Sequence, residues 1–110
     1  MLLKESYLPT GLTKEGFSEY GEPIDMPTVE MVREFIRTYY KPLKSINYDY
    51  GSYYIKHQIQ RELGIYVSNG DAIAAFCLEG FKHVPFHMNA YFNVKVSIIK
   101  RYRNNRRGYI

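Results

Sequence analysis

Ser68-Asn69-Gly70-Asp71-Ala72-Ile73-Ala74-Ala75-Phe76-Cys77-Leu78-Glu79-Gly80 is the run around which the rest of the chain has to be arranged. From Ala72 to Leu78 every residue is apolar, so a helix here has almost no solvent face and belongs at the centre of a fold. Its start is marked by Ser68 and Asp71, three residues apart. This is an Asp version of the capping box, in which orphan backbone N–H groups find side-chain acceptors. Gly80 stops it. The pattern predicts a helix over residues 69–79.

Working toward the N-terminus, Ile55, Ile59 and Leu63 form an i, i+4, i+8 stripe that predicts a second helix over residues 52–63. Ser52 reads as its N-cap, and Gly64 stands where a left-handed C-cap belongs. Ile65-Tyr66-Val67-Ser68 then forms a short extended connection. A third helix is predicted over residues 27–41, where Val29, Val32, Phe35, Ile36, Tyr39 and Tyr40 recur at helical spacing. Pro27 suits its first turn, and Pro42 forbids its continuation. Leu43 to Gly51 reads as a loop.

Toward the C-terminus, Pro85 breaks the chain and the period then changes. Phe92, Val94, Val96 and Ile98 alternate with Asn93, Lys95 and Ser97, the signature of a half-buried strand over residues 91–98. A lone strand cannot satisfy its backbone groups, so a partner is expected in Leu2–Tyr7, Ile46–Tyr50 or Ile65–Val67. The alternative for residues 95–103 is a last helix. The expected fold class is α+β, mostly helical: three main helices (27–41, 52–63, 69–79) and a small sheet including residues 91–98.

Composition narrows the class of molecule. A chain of 110 residues, 45% hydrophobic and 24% charged, is sized and composed for one globular domain over residues 1–110, not for disorder. It carries no apolar run of the roughly 20 residues that a membrane helix needs. Met1-Leu2-Leu3-Lys4-Glu5 lacks the features of a signal peptide, and a single cysteine, Cys77, permits no internal disulfide. A reducing, cytoplasmic setting is expected, with no membrane partner. The charge is uneven. Residues 1–34 hold three Lys/Arg against seven Asp/Glu, whereas residues 100–110 hold five cations and no acid. The first 26 residues, punctuated by Gly11, Gly16, Gly21, Pro9 and Pro23, therefore read as an irregular acidic arm, and residues 100–110 as a basic tail.

Two features suit the binding of a large molecule. Tyr39, Tyr40, Tyr48, Tyr50, Tyr53 and Tyr54 are interleaved with Lys41, Lys44, Lys56 and His57. Rings and cations in this mixture serve a nucleic-acid platform, and tyrosine equally anchors protein interfaces; half of the rings closing the core is the plainer explanation. The expected partner-binding set is Tyr48, Tyr50, Tyr53, Lys44 and Lys56. The tail supplies the second feature, in which Lys100, Arg101, Arg103, Arg106 and Arg107 would meet phosphates or an acidic partner.

Other chemistries find less support. Helices 52–63 and 69–79 have a helix-turn-helix layout, but the second offers only Asp71 and Glu79 as charges and is unsuited to reading bases. Cys77, His83, His87 and His57 make only a weak zinc set, because a lone cysteine on an apolar helix is usually a core residue. There is no Gly-rich phosphate loop, nucleophile elbow or supported acid pair. No catalytic residues, metal or cofactor are expected, and a non-enzymatic role is.

Ser52-Tyr53-Tyr54-Ile55-Lys56-His57, Tyr66-Val67-Ser68-Asn69-Gly70-Asp71, Gly80-Phe81 and Asn89-Ala90-Tyr91-Phe92-Asn93 together resemble a pattern in small uncharacterised proteins of bacterial phages, prophages and other mobile elements. That pattern runs Ser-Tyr-x-Leu-Lys-His, Tyr-Val-Ser-Asn-Gly, Asn-Ala-Tyr-Phe-Asn, with Ile55 here in the Leu position. The arm, helix 27–41 and the tail lie outside it. The resemblance implies a mobile-element origin and a partner in a bacterial host: a host protein or protein–nucleic-acid complex. A host-directed inhibitor of a CRISPR-type defence complex is the leading expectation, and direct nucleic-acid binding by the Tyr/basic surface and tail is the alternative.

Overall fold

The central helix forms because its first turn is tied down from three directions. In a computed structural model, which describes residues 7–96, α3 spans Asn69–Leu78 and is buried at every position from Asn69 to Cys77. Ser68 caps it, accepting a hydrogen bond from the Asp71 N–H at 3.1 Å. The Asp71 carboxylate does not close a reciprocal box onto the Ser68 N–H. It reaches across to accept from the Asp25 N–H at 2.9 Å, and Asp25 is itself the N-cap of α1, Met26–Tyr39. The N-terminal ends of the two helices are therefore tied to each other.

The α1 face consists of Val29, Val32 and Ile36, all buried, and it packs on α3. Its polar side is not wholly solvated, because Arg33 and Arg37 both bind Glu79 at the end of α3, at 2.6 and 2.7 Å. Helix α2, Ser52–Leu63, ends at Gly64, whose φ of 74° is left-handed and favours a residue without Cβ. Gly51, not Ser52, is the N-cap. Ser52 lies inside the first turn, buried, with its hydroxyl turned to the interior. Phe76 of α3 sits at the middle of the core, stacked on Phe92 at 4.6 Å and met edge-on by Tyr40 and Phe81.

The sheet is larger than the sequence pattern suggests. Strand β5, Asn89–Val94, is central, flanked by β3, Pro42–Gly51, and β4, His83–Phe86, both antiparallel to it. A second, two-stranded sheet pairs β1, Leu12–Thr13, with β2, Gly16–Phe17. Helix accounts for 40% and strand for 27% of the described residues, so the expectation of a mostly helical chain is overturned: this is an α+β fold with three helices and two small antiparallel sheets.

The stretch expected as a loop, Leu43 to Gly51, is a bulged edge strand. It spends Pro42 to Gly51 opposite Val94 to Tyr91, with two register shifts, and bulging destroys the period of two that would betray a strand. Pro85 does not break the chain either. It sits in β4 opposite Ala90, on a sheet edge, where a missing N–H is tolerated. Of the proposed partners for β5, Ile46–Tyr50 lies within β3, Ile65–Val67 forms no strand, and residues 2–6 fall outside the described residues. Strand β5 itself stops at Val94; residues 97–103 lie outside the described residues, as does the basic tail.

The N-terminal segment carries little regular structure but is docked. The turn between β1 and β2 lies against α3, where the Gly70 N–H donates to the Lys14 carbonyl at 3.0 Å. The Phe17 N–H donates to the Met88 carbonyl at 2.9 Å, holding the hairpin to the β4–β5 turn. No helix among the described residues is long and apolar enough to cross a membrane.

Candidate functional site

The tyrosine cluster divides between the interior and the surface. Tyr40 is buried, and burial raises its phenol well above the ordinary value. Tyr50 is half-buried and packs with the Tyr54 ring at 4.7 Å against the core. Tyr48 and Tyr53 remain outward, 62% and 56% exposed. Lys44 is exposed on β3, but Lys56 is only 5% exposed on α2. The five residues expected to form one partner surface thus occupy different settings. Tyr48 and Lys44 share β3, Tyr53 and Lys56 share one end of α2, and Tyr50 belongs largely to the core.

What surrounds Tyr48 is a group of rings the sequence reading did not assemble. In β5, Ala90, Phe92 and Val94 are buried toward the helices, so by strand alternation Tyr91 lies on the opposite face. There its ring meets Tyr48 of β3 at 5.2 Å and Phe86 of β4 at 5.8 Å. Each strand supplies one ring, and Phe86 is 50% exposed. Tyr91 was legible as the out-of-phase position of the alternating run. Phe86 was hidden by Pro85, which argued against a strand there.

Cations gather at one end of this sheet. The Asn93 side chain links β3 to the residue just before β4, donating to the Leu43 carbonyl at 2.8 Å and accepting from the Lys82 N–H at 2.8 Å. The Lys95 N–H donates to the Lys41 carbonyl at 3.0 Å. These bonds bring Lys41, Lys44, Lys82 and Lys95 together, all exposed. Among the described residues none of the four takes part in an ion pair. The expected tail cations, Lys100, Arg101, Arg103, Arg106 and Arg107, lie outside the described residues.

Elsewhere the polar residues of the resemblance pattern turn inward. The Asn69 carbonyl oxygen accepts from the Ser52 hydroxyl at 2.8 Å, and that hydroxyl accepts in turn from the Ala90 N–H at 3.1 Å. The Asn69 amide donates to the Glu15 carbonyl and to Asn89 Oδ1 at 3.0 and 2.9 Å, with the Met88 carbonyl at 3.3 Å. One asparagine therefore ties α2, the N-terminal hairpin and the β4–β5 turn to the start of α3. In front of this seam is a cleft of about 410 Å³, lined by Lys14, Glu15, Tyr53, Lys56, Tyr66, Asn69, Met88 and Asn89.

The remaining chemical candidates have structural occupations. Cys77 is buried, and desolvation pushes its thiol up to about 12, so it is neither a thiolate nor a ready ligand. His83 stacks on Phe17 at 5.9 Å, and burial lowers its pKa. His57 is also lowered, by burial first and then by Lys56 and Arg61. No group of three His, Cys, Asp or Glu side chains is placed to hold a metal among the described residues. Helix α3, the would-be reader of a helix-turn-helix, is enclosed by the fold and cannot enter a groove. Compared with known proteins, the chain matches no family model, no curated protein and no solved structure.

Proposed function

We propose that this chain is a non-enzymatic binding protein that receives single-stranded nucleic acid on the outer face of its three-stranded sheet. The observation that carries this reading is the contiguous set of rings Tyr48, Tyr91 and Phe86, one per strand, on the face opposite the helices. A row of this kind accepts bases of any sequence by stacking, worth about 1–3 kcal/mol per base. Lys41, Lys44, Lys82 and Lys95 stand at the end of the same sheet, where phosphates of a bound strand would run. Five further cations follow in the sequence from Lys100 onward.

The test is a titration of labelled single- and double-stranded oligonucleotides over a range of salt. If the four lysines each neutralise one phosphate, log K should fall against log salt with a slope of about −3 or steeper for single strands. Duplex should bind more weakly, since its bases are not free to stack. Absence of binding at low salt sinks the proposal.

A second reading is a host-directed inhibitor that docks on a protein of a defence complex, as the mobile-element resemblance implies. It is supported by the exposure of Phe86 and Met88, about half uncovered at 50% and 48%, beyond what a phosphate-tracking surface requires. Capture of a host protein by the isolated chain, in nuclease-treated lysate and without oligonucleotide binding, would favour it.

A further inference from the structure

Lys56 occupies an unusual place for a lysine. Its side chain is almost wholly covered, its ammonium lies 5.4 Å from the centre of the Tyr53 ring and 4.8 Å from that of Tyr66, and its one hydrogen bond among the described residues, to Gln60 Oε1, is long at 3.3 Å. An ammonium has three hydrogens to place. Among the described residues Lys56 is in no ion pair, and burial lowers its pKa, as expected of a cation kept from water without a counter-charge. Ring faces offset part of that cost, since cation–π contacts contribute about 0.5–2 kcal/mol, but they leave hydrogens unplaced.

The cleft in front of Lys56 supplies the space. At about 410 Å³ it falls in the range of small-molecule sites. Its other polar groups are mainly donors. Asn89, which lines the cleft, commits its Oδ1 to Asn69, and its NH2 has no hydrogen-bond partner among the described residues. Lys14 also lines the cleft, its field shared with Asp25 and Asp71. Tyr53 and Tyr66 flank the amine with exposed rings, Tyr66 at 67%. Glu15, exposed, is the one carboxylate in the lining. Donors around a cation, bordered by two open rings, match a phosphate carried by an aromatic base.

We propose that this cleft is a nucleotide-phosphate site, with the phosphate against Lys56 and Asn89 and the base against Tyr66 or Tyr53. It stands on residues other than the three rings of the sheet face and holds or fails independently of that reading. The phosphate could come from a free nucleotide or from the 5′ end of a strand, and both offer the same group to Lys56.

The full chain should be titrated with AMP, adenosine and inorganic phosphate by calorimetry or by NMR shifts. AMP should bind saturably and roughly ten-fold or more tighter than adenosine, because a charge-assisted hydrogen bond is worth about 1.5–3 kcal/mol. Lys56→Met should weaken AMP by a similar factor while melting no lower than the parent, since it removes a desolvated charge. Tyr66→Ala, an exposed change that leaves the core alone, should cost about five-fold for AMP and nothing for inorganic phosphate. Phe86→Ala should leave AMP binding unchanged. A 5′-phosphorylated oligonucleotide that outcompetes its 5′-hydroxyl counterpart at this site assigns the phosphate to a strand end; AMP binding without that preference assigns it to a free nucleotide. No saturable AMP binding at millimolar concentration, or Lys56→Met binding AMP as the parent does, overturns the proposal.

Discussion

The start of α3 and the outer face of the sheet use the same vocabulary of small and polar or aromatic residues in opposite ways. At α3, Ser52, Ser68, Asn69 and Asp71 are buried and each is hydrogen-bonded, so the polar atoms hold segments in place. On the sheet face, Tyr48, Tyr91 and Phe86 touch only through their rings and two of them stand half or more in water. The first region has no slack. The second has uncommitted surface. Residues of the recognisable pattern fall mostly in the seam, whereas the face takes two of its three rings, Tyr48 and Phe86, from outside it. A motif that stands out in a sequence can thus mark architecture, while the proposed binding face is assembled from residues that no local pattern joins.

One glycine from each region makes the sharpest contrast. A Cβ added to Gly70 would lie 1.6 Å from the Thr13 carbonyl oxygen, and backbone there cannot yield without losing the Gly70–Lys14 hydrogen bond. Gly70→Ala should therefore destabilise the fold by about 3 kcal/mol or more, measured by chemical denaturation, or free the N-terminal hairpin to proteolysis. Gly51 lies beneath the Tyr91 ring, with the nearest atom at 3.5 Å, an ordinary contact. Gly51→Ala should cost about 1 kcal/mol or less. Equal costs at the two positions would abolish the distinction between a tight seam and an open face.

The same contrast explains what could be read from the sequence. All three helices were legible within a residue or two at most ends, because their period, the Ser68 cap, Pro27, Pro42 and Gly64 are local signals. The sheet was legible only at β5, whose alternation is also local. Strand β3 owes its character to a bulged pairing with β5, and β4 to its edge position, and neither leaves a periodic trace. In the candidate site, Tyr48 and Tyr53 are exposed, whereas Lys56 of the same expected set is buried. Tyr50 is half-buried against the core, and an irregular strand gives no phase from which its face could be assigned in advance. The roles of Ser52 and Asn69 were invisible because their partners lie 17 to 54 residues away.

The open face is sharpened by removing its rings. Tyr48→Ala and Phe86→Ala should each weaken single-stranded oligonucleotide binding by about 1–2 kcal/mol and leave unfolding stability within about 0.5 kcal/mol. The double variant should lose about the sum or somewhat less, since both rings border Tyr91 and need not act independently. Parental affinity in a folded double variant would remove the sheet face from the binding reaction, whatever the lysines contribute.

The smallest expected effect lies in the seam and concerns charge. Burial raises the Asp71 carboxyl above its ordinary value, against the opposing pull of the Asp25 N–H, Ser68 and Lys14. Between the ordinary carboxyl range and that raised value, the folded chain keeps a proton that the unfolded chain releases. Stability from this group therefore falls as pH rises through the window, and the charge remains a cost above it. Asp71→Asn retains an oxygen for the Asp25 N–H and removes the charge. It should stay within about 1 kcal/mol of the parent near neutral pH and flatten this part of the stability profile above the ordinary carboxyl range, from about pH 4 upward. Asp71→Ala, which leaves the Asp25 N–H without an acceptor, should cost about 1–3 kcal/mol throughout. If the Asn and Ala variants are equally destabilised, the carboxylate is held for its charge, and the seam is electrostatic in a way its hydrogen bonds do not reveal.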